Sequence, residues 1–139
     1  MIKELVRDQA LLSQPAKPAT AEDAALAKDL LDTLASLEHA GCLAANQIGA
    51  LKAICVYSDE RNEPHVMFNP RLLFGLGASK MREECLTKSE PVTVTRYAKV
   101  KIQFDELADG ALKTRKRDFT GYTAQMIQHM IDHCRGRLV

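Results

Sequence analysis

The chain has 139 residues, 46% hydrophobic and 27% charged, the composition of a soluble globular protein. Its length suffices for one domain, 1–139, with a real core. A formal charge of +1 points to neither nucleic acid nor an acidic membrane as partner, and no apolar run approaches the roughly 20 residues that cross a bilayer.

The N-terminal stretch carries Lys3, Glu4, Arg7 and Asp8, which interrupt any signal-peptide core. Pro15 and Pro18 then predict an extended lead-in over the first 19 residues. A helix is expected from Thr20, which can cap it, with Asp23 completing a capping-box-like start. Leu26, Leu30, Leu34 and Leu37 recur on one face, and Gly41 is the natural stop.

Residues 51–57 and 65–68 read as short strands, the second ended by Asn69-Pro70. The stretch 72–78 (LLFGLGA) is compatible with a mobile loop or a packed corner. Thr93–Tyr97 and Val100–Phe104 read as two further strands. Asp109-Gly110 is a turn signal that would pair the second of these with Leu112–Phe119. Phe68, Phe74, Phe104 and Phe119 are expected in the core, and the basic run Lys113, Arg115, Lys116, Arg117 on the solvated side of a strand. A last helix is expected from Thr120 to about Cys134. This order of helix, strands and helix favours α+β over regular βαβ alternation.

The four cysteines, separated by 12, 29 and 48 residues, show no disulfide framework and suggest a reducing, cytoplasmic setting. His129 and His133 are four apart on the last helix, a spacing that brings both imidazoles to one face and lets them grip one cation. Taken alone, the pair is more simply read as chance. A cysteine thiolate beside two imidazoles, as Cys85 would supply, is a ligand set for zinc, iron or nickel.

Three segments together resemble the peptide deformylase family. They are Leu43-Ala44-Ala45-Asn46-Gln47-Ile48-Gly49, similar to G-x-G-L-A-A-x-Q-I-G; Glu83-Glu84-Cys85-Leu86-Thr87, similar to E-G-C-L-S; and Gln128-His129-Met130-Ile131-Asp132-His133, similar to Q-H-E-x-D-H. Asn69-Pro70, Arg96 and Gly136 also sit where the family pattern has them. The resemblance implies antiparallel strands packed around a C-terminal metal-binding helix, with an N-terminal helix. It implies one divalent metal held by Cys85, His129 and His133, iron(II) first, with zinc and nickel as alternatives.

The implied activity is removal of the formyl group from N-formylmethionyl peptides or nascent chains, with room for a transient ribosome contact. Gln47 and the Leu86 backbone N–H would donate to the formyl oxygen as it gains charge. The Cys42 backbone, Arg96, Tyr122 and Met126 would meet substrate, and Glu83 and Asp132 would orient ligands.

Several positions depart from the pattern. Met130 stands where the family has its glutamate general base, and a thioether cannot relay a proton. Ala40 and Cys42 replace two glycines, Glu84 a third, and Gln125 the usual arginine. Glu83, Glu84 and His39 are the other acid–base groups in the motifs, each more simply read as a solvated or supporting side chain. The sequence therefore supports a deformylase-type hydrolase with impaired turnover, or a metal-dependent binder of peptide N-termini on the same fold.

Overall fold

The computed structural model describes residues 1–139. The lead-in is extended for most of its length but contains one helical turn, α1 (Gln9–Leu12), capped by Asp8, whose carboxylate accepts from the Ala10 N–H at 2.9 Å. This strap crosses the back of the molecule. Val6 N–H donates to the Gln47 carbonyl and Ala16 N–H to that of Cys134, both at 2.8 Å. Gly136, at φ +75°, lets the chain pass against it. A Cβ there would stand 2.6 Å from the backbone of Gln14.

Thr20 and Asp23 form the expected capping box, over a 3-10 turn (Ala21–Asp23) that leads into α2 (Ala24–Ser36). Ala27, Leu30 and Leu34 are buried on its inner face. The helix stops at Ser36, five residues before Gly41, where Leu37 turns extended.

Five antiparallel strands follow in sequential order: β1 (Cys42–Ala44), β2 (Ile54–Ser58), β3 (Pro64–Glu83), β4 (Val92–Ala108) and β5 (Ala111–Thr120). The β4–β5 turn is as read, with Asp109 and Gly110 at φ 51° and 77° between the paired Ala108 and Ala111.

Three expectations about the strands are corrected. Asn69-Pro70 does not end a strand. Asn69 takes φ 53°, its side chain accepts from Ala19 N–H at 2.8 Å and donates to Ala19 O and Asp105, and the irregularity is absorbed as a bulge inside β3. The 72–78 stretch is neither loop nor corner but the middle of β3, paired with β4. The two short strands at 93–104 are one strand, because the register with β3 runs unbroken from Phe74↔Lys101 to Glu83↔Val92.

The sheet folds over α3 (Gly121–Cys134), which is buried for most of its length. One apolar cluster lies between α3 and the sheet, including Met67, Val100, Ile102, Ile127 and Met130. A second lies between α2 and β1–β3, including Leu30, Leu43, Ile54 and Phe68. Phe68 and Phe104 are in this core and Phe119 packs against it, but Phe74 is 57% exposed, contrary to the sequence expectation.

Candidate metal centre and cleft

The third helix is fixed against β4 by Gln128, whose amide accepts from Tyr97 N–H and donates to Tyr97 O, both at 2.9 Å. Nothing in the motif itself signals this clamp, because its strand partner lies 31 residues away. With the helix held, the i, i+4 spacing sets the rings of His129 and His133 with centroids 4.8 Å apart, both side chains buried. Cys85 enters from the turn after β3. The three donor atoms converge, with Nε2 to Nε2 at 3.2 Å and Cys85 Sγ to His133 Nε2 at 3.3 Å.

These separations fit one cation. In tetrahedral coordination at about 2.0–2.1 Å, two nitrogens stand roughly 3.3–3.4 Å apart. The tautomer is fixed as well. His129 Nδ1 lies 2.8 Å from a Glu83 carboxylate oxygen, which requires the proton there and leaves the Nε2 lone pair aimed at the centre. The residues present therefore fit one divalent cation, which Cys85, His129 and His133 would hold beside the cleft.

Without the metal, the protons of the site are redistributed toward a thiolate–imidazolium pair. Burial acts to raise the Cys85 thiol, but hydrogen bonds with His129 and His133, the His133 charge and Thr87 outweigh it and bring it down to about 5. Burial acts to lower His129, but Cys85 and then Glu83 carry it up to about 9. Cys42, in the same cleft, goes the other way. Burial, with the charges of Cys85 and Glu83, pushes it up to about 12, so it stays a thiol. Burial likewise opposes ionisation of Glu83, yet His129, Arg96 and Gln125 hold it at about 2.

Glu83 is thus the hub behind the ligands. Arg96 grips it with two bonds, at 2.9 and 2.7 Å, and reaches Asp132 at 2.7 Å with its third nitrogen. Gln125 donates to Glu83 at 2.9 Å. The expectation that Arg96 meets substrate is corrected here. Its guanidinium is buried between two carboxylates and does not line the cleft, because the β3–β4 hairpin brings it directly behind Glu83. Asp132 acts one step further out, holding Arg96 and Arg137 rather than a ligand.

In front of the centre lies a cleft of about 450 Å³. Gln47 is buried at its floor. Its Oε1 accepts from Ala44 N–H at 2.9 Å, and its Nε2 points to Thr87 at 3.2 Å and Cys85 Sγ at 3.4 Å. Thr87 thereby ties Gln47 to Cys85. Leu86 is at the edge of this floor, and its N–H makes no hydrogen bond within the protein. Met126 is buried in the wall against Gly41, where a Cβ would stand 2.7 Å from its sulfur. Tyr122 is 69% exposed at the rim.

Met130 reaches the cleft between the two histidines but is 1% exposed and belongs to the core cluster. His39 and Glu84 stand exposed on the rim. Ala40 and Cys42 both have negative φ, so the missing glycines cost no backbone strain and only add side-chain volume.

A sheet folded over a helix that bears two histidines opposite a cysteine places the molecule in the class of metal-dependent hydrolases with a Cys-His-His centre. Comparison with known proteins narrows the class. The polypeptide deformylase family model matches residues 2–139. A peptide deformylase of Clostridium beijerinckii is 36% identical over 140 residues, covering all of both chains. Peptide deformylase 2 of Vibrio cholerae is 35% identical over 81% of this chain and 67% of its own. Among solved structures, a peptide deformylase from Legionella pneumophila superposes with a TM-score of 0.85 at 28% identity, over 99% of this chain and 83% of that one. The chain belongs to the polypeptide deformylase family.

Proposed function

We propose that the protein is a deformylase-type metallohydrolase, acting slowly on the formyl group of N-formylmethionyl peptides. The observation that carries this reading is the convergence of Cys85, His129 and His133 beside Gln47, on the floor of an open cleft. A divalent cation bound there supplies Lewis acidity and lowers the pKa of water toward neutrality. Iron(II) is the metal by family resemblance, with zinc or nickel meeting the same donors.

The chain's own residues do the rest. Gln47 Nε2 and the free Leu86 N–H donate to the formyl oxygen as charge develops on it, worth about 10²–10³ in rate for one such donor. The Cys42 backbone, at the start of β1, aligns the peptide as an extended strand. Met126 and Tyr122 flank the methionine side chain. Glu83, held by Arg96 and Gln125, fixes the His129 tautomer. The natural setting is the cytoplasm, where nascent chains would bring the protein briefly to the ribosome.

Met130 supplies no proton relay, and this favours a second reading, a metal-dependent binder of peptide N-termini. A single-turnover assay of the iron- or nickel-loaded protein on a formyl-methionyl peptide separates the two. Slow but metal-dependent formate release supports the enzyme. Thermal stabilisation by a peptide hydroxamate, with no formate release above the metal-free blank, supports the binder.

A further inference from the structure

Charge is unevenly spread along the chain. Residues 71–120, which form most of the sheet, hold eleven Lys and Arg against seven Asp and Glu, and the remainder holds eight against eleven. The register shows where this excess lies. Directly opposed residues project to the same side of a sheet. Phe74 therefore stands beside Lys101, Leu76 beside Lys99, and Arg71 beside Gln103, which is itself opposite Lys116.

The intervening Val100 and Ile102 are buried toward α3, so this set occupies the outer face. Phe74 and Leu76 are 57% and 52% exposed there. Two carboxylates share the face. Asp105 is bonded to Asn69 and Thr114, and Asp118 lies 4.0 Å from Lys101. Arg71, Lys99 and Lys116 have no ion-pair partner in the protein.

An exposed aromatic ring on the outer face of a sheet, with the unpaired cations Arg71, Lys99 and Lys116 on the same face, offers a stacking platform with phosphate contacts around it. An acidic peptide would satisfy the cations but leave the ring without a use. We infer that the outer face of β3–β4–β5 binds single-stranded RNA, one base stacking on Phe74 and the backbone running past Arg71, Lys99, Lys101 and Lys116. The choice of RNA over DNA rests on the deformylase reading above, since formylmethionyl chains emerge beside RNA. The surface itself does not depend on that reading, as none of these residues lines the cleft.

The test uses the full metal-loaded chain and a fluorescent oligouridylate, read by anisotropy at low salt. Phe74→Leu keeps the apolar bulk and removes the aromatic face, and Phe74→Tyr keeps both. We expect Phe74→Leu to weaken binding about tenfold and Phe74→Tyr to leave it near wild type. Lys99→Gln with Lys101→Gln should weaken binding and flatten the slope of log K against log salt by about 1.4.

Absence of wild-type binding at low salt overturns the proposal. So does equal binding by Phe74→Leu, or equal binding of a glutamate-rich peptide. Equal affinity for the matching DNA overturns the assignment to RNA. Formate release from formyl-methionyl peptide, measured on the same preparations, should not change in any variant. Its absence with RNA binding intact would sink the proposed enzyme and spare this surface.

Discussion

Met130→Glu tests the proposed chemistry at one side chain. The position lies between His129 and His133 on the helix and reaches the cleft, so a carboxylate there would stand where the proposed reaction needs a proton acceptor. A positioned general base contributes about 10²–10⁴ in rate, or roughly 2.7–5.5 kcal/mol of barrier. The structure adds a cost that residue lengths alone do not reveal. Met130 is 1% exposed and belongs to the core cluster, so a carboxylate placed there loses its hydration.

That desolvation raises the pKa of the new Glu, which suits a base working near neutrality. It also destabilises the metal-free protein by about 1–3 kcal/mol, and a domain of this size loses roughly 4 °C in Tm for each of these. The expected outcome is at least about 10²-fold faster formate release from the metal-loaded variant, with a lower Tm of the apoprotein. The assay is kcat/KM on a formyl-methionyl peptide at matched metal content. Two results refute the reasoning. One is a wild-type rate within tenfold of the variant, which means another group already serves as base. The other is a folded, metal-loaded variant with no gain, which shifts the blame to the volume added at Ala40 and Cys42.

Cys85→Ser should lose most bound metal, since a neutral hydroxyl is a far poorer ligand than a thiolate; stoichiometric metal by elemental analysis would contradict the ligand set. Metal affinity should rise with pH, because His129, at about 9 in the metal-free protein, must release its proton while Cys85, at about 5, is already a thiolate. Titration calorimetry in buffers of different ionisation heat should find about one proton released per ion near pH 7, and a pH-independent affinity between 7 and 9 would be inconsistent with this. Glu83→Gln should cost about 3 kcal/mol, because it leaves the buried Arg96 with one carboxylate instead of two. The Glu83 pKa is about 2 when folded against an ordinary value of 4.5, so its stabilisation is complete above pH 4.5 and lost as pH falls toward 2. The wild-type advantage in Tm over Glu83→Gln should therefore shrink on acidification, and an advantage constant from pH 6 to 3 would refute the role of the charge.

What the sequence revealed of the fold was local chemistry. Thr20 with Asp23, and Asp109 with Gly110, carry their geometry within four residues, and both appear as read. The errors arose where a distant partner overrides a local signal. Asn69-Pro70 is a stop by composition, but Ala19 and Asp105 bond the Asn69 side chain and let the strand pass through the irregularity. The 72–78 stretch gave no alternation to read because a bulge between Leu72 and Phe74 shifts the faces, leaving Phe74 on the solvent side. The helical turn at Gln9–Leu12 did have a signal, an Asp cap before Gln-Ala-Leu-Leu, masked by the two prolines that follow.

The site divides the same way. The proposed ligands and oxyanion donors sit in contiguous motifs, so their neighbours in sequence define them. The support behind them is assembled across the hairpin, where Arg96 and Glu83 are thirteen residues apart and meet only because β3 and β4 pair. An arginine at the expected place therefore looked like a substrate contact, whereas its burial makes it a brace for the carboxylate that orients His129. The consequence for this chain is physical. The brace, Gln47, Thr87, Cys85 and His129 are joined by hydrogen bonds that do not include Met130, so loss of the glutamate breaks none of them, while His133 Nδ1 is buried without a partner. A site built this way can lose its proton relay and keep its metal geometry, and for that reason metal binding and turnover have to be measured separately here.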